Sequence, residues 1–270
     1  MRLASLLTTL LLAATAAQAL PRHPPRHIVV VIMENRAAAQ IIGAPDTPYI
    51  NRLARQGASF TQSYAVGHPS EPNYLALFTG SMQGVTDDRC PIALAGPTLA
   101  SQLRAAGRRF IGYAEDQPRA GYTGCRSGAY VRKHVPWANY AALPAAVSQP
   151  WSAFPQGDFK RLPDVSIVIP NLDDDMHDGS AAQGDAWLRS HIDGYVRWAA
   201  THDALLILTW DEDDSRHGNR IATILVGPMV KPGLYDQRID HYSVLRTIEA
   251  IYGLPYLGAA AQAQPLAGLR

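Results

Sequence analysis

Cysteine is scarce in this sequence, and neither sign of charge dominates. The two cysteines, Cys90 and Cys125, form no Cys-x-x-Cys pair, which argues against a cysteine-rich metal site or a dithiol redox motif. The 24 lysines and arginines nearly balance the 23 aspartates and glutamates. The basic residues form no run, so nothing indicates a nucleic-acid partner. Internal repeats, low-complexity tracts and dividing linkers are also missing. No apolar run reaches the roughly 20 residues of a membrane-spanning helix, so we expect no stable membrane insertion.

The N-terminus does carry a short apolar segment. Arg2 precedes the apolar residues 6–17, and Ala17-Gln18-Ala19 matches a small-residue cleavage site. This pattern predicts a signal peptide over residues 1–19 and a periplasmic or secreted protein. An uncleaved anchor is the alternative, which the shortness of the segment disfavours. In an exported protein the even pair Cys90 and Cys125 favours a structural disulfide over two free thiols.

Apolar β-branched runs alternate with segments of helical spacing after residue 26. The runs predict buried strands over 27–33, 109–113, 164–170, 204–210 and 221–227. Helices are predicted over 48–56, 72–78, 98–106, 185–200 and 242–252. This alternation predicts a single α/β domain over 20–270, with a mainly parallel central sheet covered by helices on both faces. The less regular segment 113–163 is predicted to cross the rim of the sheet and carry substrate-selecting loops.

Acidic side chains follow three of the predicted strands. They lie in Glu34-Asn35, in the segment 171–179 and in the run 211–214. Ligands of open α/β sheets bind outside the carboxyl ends of the strands, so these clusters should converge. Packed carboxylates repel one another unless a cation neutralises them, which predicts a divalent metal cation of unknown identity. The alternative for any single cluster is an ordinary solvated loop.

Ser70 precedes a predicted helix in His68-Pro69-Ser70-Glu71-Pro72-Asn73-Tyr74. Pro72 and the apolar pattern after it place Ser70 at or next to the helix N-terminus. Free backbone N–H groups and the helix dipole favour a bound phosphate there. Alone, such a serine is usually only an N-cap. Beside acidic strand ends that can hold a metal, an activated nucleophile becomes the better interpretation.

Five ordered motifs resemble the phosphoesterase family of bacterial acid phosphatases and phospholipases C. The resemblance covers residues 26–254 and implies an alkaline-phosphatase-like fold. Its motifs are Glu34-Asn35, 68–74, 171–179, 209–212 and 241–249. The implied activity is hydrolysis of small-molecule or lipid phosphate esters through a phosphoserine on Ser70.

The resemblance also implies a role for each matching residue. The implied metal ligands are Glu34, Asn35, Ser70, Asp211 and Glu212, while Asp213 and Asp214 continue the acidic run as alternatives. His134 and His177 would line the phosphate site and protonate the leaving oxygen. Asn73 would bind a phosphate oxygen. His241 would either bind substrate or cap its helix.

Three other functions compete with a phosphomonoesterase. Phospholipase C-type phosphodiesterases share the motifs, but the end of the chain soon after the last motif mildly favours the monoesterase. A sulfatase fits Ser70-Glu71-Pro72 but requires an arginine where Tyr74 stands. A non-catalytic exported protein that binds metal or phosphate would share the fold, and turnover with Ser70→Ala as control would identify it.

Overall fold

Apolar runs form the strands at the centre of the fold, as expected. A computed structural model describes residues 20, 21 and 23–270, and the predicted signal peptide lies outside the described residues. The strands are β1 (His27–Met33), β2 (Ala58–Tyr64), β3 (Phe110–Ala114), β4 (Arg126–Ser127), β5 (Tyr130–Val131), β6 (Ser148–Pro150), β7 (Val165–Ile169), β8 (Ala204–Trp210), β9 (Arg220–Ile221), β10 (Thr223–Val226) and β11 (Gly233–Ile239). The helices are α1 (Ala38–Ile41), α2 (Pro48–Gln56), α3 (Ser70–Thr79), α4 (Leu99–Ala105), α5 (Ala181–His191), α6 (Asp193–Ala199) and α7 (His241–Tyr252).

The main sheet has the strand order β11-β2-β10-β8-β1-β7-β3-β6, with β9 paired to β2. Its centre is parallel: β1 pairs in parallel with β8 on one side and with β7 on the other. β10 runs antiparallel to both β8 and β2, so β2 and β8 point the same way. The carboxyl ends of β8, β1 and β7 therefore lie side by side at one edge. The predicted mainly parallel α/β sheet is confirmed.

Two apolar layers cover the two faces of the sheet. Along β1, Ile28, Val30 and Ile32 face the layer formed with α3, α4 and α7. The intervening residues of β1 face α2, α5 and α6 on the other side. Because successive side chains of a strand point to opposite faces, a continuous apolar run is what a strand buried on both faces requires. The sheet is thus a rigid support for the loops that follow its strands.

The structure differs from the sequence prediction at the margins of the sheet. The predicted helix 185–200 is two helices, α5 and α6, which meet at Ile192. β2 and β11 were not predicted because their polar residues break the apolar pattern. The predicted strand 221–227 is divided into β9 and β10. These differences leave the carboxyl edge of the central strands unchanged.

The segment between β3 and β7, called the rim segment below, consists of short strands and 3₁₀ turns. That it carries substrate-selecting loops stays a prediction. The predicted disulfide is confirmed: Cys90 and Cys125 are bonded, with their Cα atoms 5.7 Å apart. It ties this rim segment to the loop after α3. Within the described part of the chain, no helix combines the length and apolarity needed to cross a membrane.

Candidate active site

Three neighbouring strand ends bring acidic side chains together, as the sequence predicted. Glu34 follows β1, Asp211 and Glu212 follow β8, and Asp175 lies in the loop after β7. The Glu34 N–H donates to the Asp175 carbonyl (2.8 Å), and the Asp211 N–H donates to the Met33 carbonyl (2.9 Å). All four carboxyl side chains are buried. The ladder hydrogen bonds of the sheet thus continue into the site and hold its main chain.

Ser70 is the first residue of α3 and lies over these carboxylates. Its hydroxyl donates to Glu34 Oε2 (3.1 Å) and lies 3.4 Å from Glu212 Oε1. Only 1% of its surface is exposed. The N-cap of α3 is Pro69, which makes no side-chain capping hydrogen bond. Ser70 therefore does not act as an ordinary capping serine, because its hydroxyl points to the carboxylates instead of the helix backbone.

Asn35 has the left-handed backbone conformation (φ 44°). Asparagine adopts this conformation more readily than most residues, and such strain concentrates at functional sites. Its N–H donates to Asp211 Oδ1 (3.2 Å), while its own Oδ1 is buried without a hydrogen-bond partner. The turn after β1 is thus shaped to present Asn35 beside the carboxylates.

Burial and mutual repulsion perturb the titration of the clustered carboxylates. Burial, and then the neighbouring charges of Asp211 and Asp175, hold the pKa of Glu34 well above its ordinary value. Burial, reinforced by Glu212, raises the pKa of Asp211 to about 7. Burial also raises the pKa of Glu212 to about 7. Without a compensating cation the site therefore takes up protons near neutral pH.

A second group of contacts joins Glu34 to the rim segment. His134 Nε2 lies 3.2 Å from Glu34 Oε1, and His134 Nδ1 lies 3.3 Å from Asp175 Oδ2. The Tyr74 hydroxyl donates to Glu34 Oε1, and the Tyr74 ring stacks on His134. Burial, and then the charge of Lys133, lowers the pKa of His134 well below its ordinary value. A neutral His134 is therefore favoured at neutral pH.

The donor set fits a divalent cation. Asn35 Oδ1, Asp175 Oδ2 and Asp211 Oδ2 are buried without hydrogen-bond partners, although buried polar atoms are nearly always paired. Ligand atoms of Glu34, His134 and Asp175 lie within 4.8 Å of one another. Carboxylate and amide oxygens suit hard cations, and an added imidazole extends the range to zinc or manganese. The residues predicted as metal ligands are thus brought together with two additional candidates, His134 and Asp175.

The acidic run after β8 divides between the site and its own loop. Asp213 accepts hydrogen bonds from the backbone N–H groups of Ser215, His217 and Asn219. Asp214 accepts from Gln40 and lies 2.6 Å from His217. Both side chains are engaged in shaping the loop. This arrangement favours Asp211 and Glu212 over Asp213 and Asp214 as the pair that faces Ser70.

The remaining predicted site residues have different positions around Ser70. The His177 ring lies 5.9 Å from that of His134, is partly exposed, and contacts Asp178 (2.6 Å). The Asn73 side chain bonds the backbone of residues 66, 67 and 69, and so holds the turn before α3. His241 is buried at the start of α7, where its Nε2 donates to the Asp211 carbonyl (2.6 Å). Contact of Asn73 and His241 with substrate stays a prediction.

Sequence reasoning missed several neighbours of Ser70. His68 Nδ1 lies 2.7 Å from Glu212 Oε2. Asp88 accepts from the Glu71 N–H (2.9 Å) and pairs with Lys133 (2.7 Å). Asp175 stood within an acidic segment without an individual role. No periodic pattern marks Asp88 or Lys133, and only the fold brings them to the site.

Comparison with known proteins agrees with this geometry. Residues 44–255 match the model of the Phosphoesterase family. A phosphatidylinositol-3-phosphatase of Mycobacterium tuberculosis is 52% identical, over 93% of this chain and 84% of that protein. A phosphate-repressible acid phosphatase of Penicillium chrysogenum is 31% identical over 77% of this chain. The chain spans 55% of that fungal protein's length.

Solved structures share the fold at low sequence identity. A Vibrio parahaemolyticus protein of the alkaline phosphatase superfamily superimposes with a TM-score of 0.64 and 14% identity, covering 93% of this chain and 72% of that one. The predicted alkaline-phosphatase-like fold is thereby confirmed. With the family match and the 52% identical relative, it follows that this chain belongs to the Phosphoesterase family and is a phosphoric ester hydrolase.

Proposed function

We propose that the chain is a metal-dependent phosphomonoesterase that forms a phosphoserine on Ser70. The observation that carries the proposal is the buried Ser70 hydroxyl, which begins α3 and donates to Glu34 instead of capping the helix. A helix N-terminus attracts a phosphoryl group, and the carboxylates beneath Ser70 can hold a cation. Nucleophile, anion-binding helix end and cation ligands thus stand within one small site.

In the first step, Ser70 Oγ attacks phosphorus and the bond to the ester oxygen breaks. The serine hydroxyl hydrogen-bonds to Glu34, so its proton has a carboxylate to move toward. The alcohol leaves with a proton, and the phosphoryl group remains on Ser70. In the second step, water attacks the phosphoserine, releases inorganic phosphate and restores the serine. Ser70 Oγ takes up a proton as its bond to phosphorus breaks, which restores the hydroxyl that donates to Glu34.

His177 is the proposed donor of the proton to the leaving oxygen. Its ring is partly exposed and lies beside His134 at the open side of the site. Asp178 Oδ1, 2.6 Å from Nδ1, orients the ring so that Nε2 is free for the alcohol oxygen. His134 is fully buried between two carboxyl groups, and burial disfavours its charged form. His134 therefore supports Glu34 and Asp175 in this proposal.

Glu34, Asn35, Ser70, Asp211 and Glu212 are the proposed ligands of the cation, with Asp175 and His134 adjacent. A bound divalent cation would supply a positive charge that favours the serine alkoxide and the phosphoryl oxygens. Asn35 Oδ1 and Asp211 Oδ2 support this assignment because they are buried without partners.

A phosphate monoester is the proposed substrate class. The relatives' names support it, since one is a phosphatidylinositol-3-phosphatase and others are acid phosphatases. A monoester leaves one alcohol and needs room for a single organic group at the open side of the site, where His177 lies. Lipid and small-molecule monoesters share this chemistry.

We further propose that the protein is exported. The support is the signal-like pattern over residues 1–19 together with the disulfide between Cys90 and Cys125, since disulfides persist in oxidising compartments. Sequencing the N-terminus of the protein from intact cells tests this. A mature chain beginning at Leu20 supports export, and an intact Met1 contradicts it.

Turnover of an aryl phosphate by the purified protein tests the proposed activity. Ser70→Ala should reduce kcat by at least about 10³-fold with an unchanged thermal unfolding curve. Protein from which a chelator has removed the metal should lose activity and regain it when a divalent cation is added back. Undiminished hydrolysis by Ser70→Ala contradicts the nucleophile. Faster hydrolysis of an aryl phosphodiester, assayed in parallel, contradicts the monoesterase.

A further inference from the structure

An ion pair lies over the N-terminus of α3, one residue from Ser70. Asp88 Oδ1 accepts the Glu71 N–H (2.9 Å), and Asp88 Oδ2 lies 2.7 Å from Lys133 Nζ. The proposed two-step mechanism uses neither residue. Both side chains are only partly exposed, 28% for Asp88 and 18% for Lys133. The pair is therefore a fixed part of the site wall and not a loose surface contact.

The chain around this pair is held from several sides. Arg132 is buried, and its guanidinium donates to the carbonyls of Ile92 (2.9 Å), Thr123 (2.7 Å) and Ala138 (3.0 Å). The Arg132 N–H donates to the Cys125 carbonyl (3.0 Å), and Cys125 is bonded to Cys90, two residues after Asp88. These contacts join the loop that carries Asp88 to the segment that carries Lys133. Both ends of the ion pair thus have fixed main-chain positions.

The Asp88 carboxylate marks where an anion is stable in this site. Backbone N–H groups and the dipole at a helix N-terminus favour negative charge, and Asp88 already supplies one to Glu71. A phosphoryl group on Ser70 would lie beside it, above the carboxylates of Glu34 and Glu212. Such a crowd of negative groups repels a phosphate dianion unless cations offset it. The Lys133 ammonium beside Asp88 would provide such a charge. An ammonium carries three donors and Asp88 uses one of its directions, so donors remain for a phosphoryl oxygen.

We propose that Lys133 binds substrate by donating to a non-bridging oxygen of the transferred phosphoryl group. Asp88 is the positioning residue that holds the ammonium at that place. The proposal rests on the proposed phosphatase function and extends its binding site to the rim segment. The ligand class is a phosphate monoester dianion or its product, inorganic phosphate.

Calorimetric binding of inorganic phosphate and aryl phosphate kinetics test the proposal on the full-length protein. Lys133→Met should weaken phosphate binding about 10-fold or more and lower kcat/KM by about 10- to 100-fold, as expected for a lost charge-assisted hydrogen bond. Lys133→Arg should retain more of both, because it keeps the charge. Added salt should weaken phosphate binding to the wild type more than to Lys133→Met. Lys160→Met is the matched control, since Lys160 lies beside His27 at the opposite edge of the sheet.

The variant Asp88→Asn tests whether Asp88 acts by positioning the Lys133 ammonium. The amide can still accept from Glu71, but it no longer pairs with Lys133 as a carboxylate. We expect a smaller loss than for Lys133→Met, and no further loss when Asp88→Asn is added to Lys133→Met. An additional loss in the double variant would contradict the positioning role of Asp88.

Phosphate binding by Lys133→Met equal to that of the wild type would overturn the proposal. If Lys133→Met is unfolded by circular dichroism, Asp88→Asn decides, and unchanged phosphate affinity and KM in that variant overturn it. Failure of the proposed function is a separate outcome. In that case the wild type binds phosphate without turnover, and a weaker affinity of Lys133→Met still supports Lys133 as an anion ligand.

Discussion

Ser70 and Asn35 depart from ordinary helix and turn chemistry. Ser70 begins α3 yet donates to Glu34, and Asn35 holds a positive φ with an unpaired buried amide oxygen. Neither feature benefits the local element, because the Ser70 hydroxyl makes no bond to its helix backbone and Asn35 leaves a polar atom without a partner. The proposed phosphoryl group on Ser70 and the proposed cation would account for both features.

His177 is the proposed proton donor and His134 is not, and this difference gives a prediction at the residue scale. His177→Gln should lower kcat for an alkyl phosphate by about 10²-fold or more, because a poor leaving group requires a proton. For 4-nitrophenyl phosphate the loss should be much smaller, since that leaving group departs unprotonated. The measurement is kcat for both substrates. His202→Gln, near the opposite edge of the sheet, is the matched control.

Equal losses of His177→Gln on both substrates would contradict its role as the proton donor. A leaving-group-dependent loss in His134→Gln, with none in His177→Gln, would move that role to His134.

At the scale of elements, α3 is the structure that aims Ser70 at the strand ends. Its buried residues pack beneath α7 and against the rim segment, and it ends at Gly80 in the left-handed conformation (φ 71°). Gly80 also approaches the residues after α7 so closely that a Cβ there would overlap the Leu257 carbonyl. The end of α3 is thus fixed by a backbone-to-backbone contact that only glycine permits.

Gly80→Ala should therefore destabilise the protein by about 2–4 kcal/mol, from left-handed strain plus steric overlap. Gly84 is the matched control, because it has the same φ of 71° with open space where its Cβ would lie. Gly84→Ala should cost only about 1 kcal/mol, from strain alone. Urea denaturation measures both free energies of unfolding. Equal values for the two variants would contradict the close packing at Gly80.

Sequence patterns predicted the central elements because burial on both faces demands continuous apolar runs. β1, β8 and α2 have the predicted bounds. β2 and β11 were not predicted because strands at or near the edge of a sheet tolerate polar residues. Glu34, Ser70, Asp211 and Glu212 were found because they adjoin strong strand or helix signals. Asp88 and Lys133 lie in irregular segments, and their contacts beside α3 depend on the path of the rim segment, which local patterns cannot specify.

At the scale of the whole molecule, the buried acidic site couples folding to pH and, through the proposed cation, to metal. Burial raises the pKa of Asp211 and of Glu212 to about 7, above their ordinary values of 3.8 and 4.5. Since the folded pKa exceeds the unfolded one, the folded metal-free protein keeps protons that the unfolded chain releases. The stabilisation that comes from these two protonated carboxyl groups is present at acid pH and is lost as pH rises through about 7.

The Tm of chelator-treated protein should therefore fall between about pH 5 and pH 8. An added divalent cation competes with protons, so it should raise the Tm by several degrees at the higher pH and less at the lower pH. Differential scanning calorimetry measures both effects. Asp211→Asn, which keeps the shape of the side chain, should flatten the pH dependence and reduce the response to metal. An identical metal response at both pH values would contradict the coupling.

Trapping of the phosphorylated enzyme tests the central claim most directly. The protein is mixed with excess phosphate monoester, quenched in acid within the first turnovers, digested and analysed by mass spectrometry. We predict a phosphoryl group on the peptide that begins α3, located at Ser70 and absent from Ser70→Ala. Rapid turnover with no phosphoryl group on Ser70, and undiminished turnover in Ser70→Ala, would contradict the account.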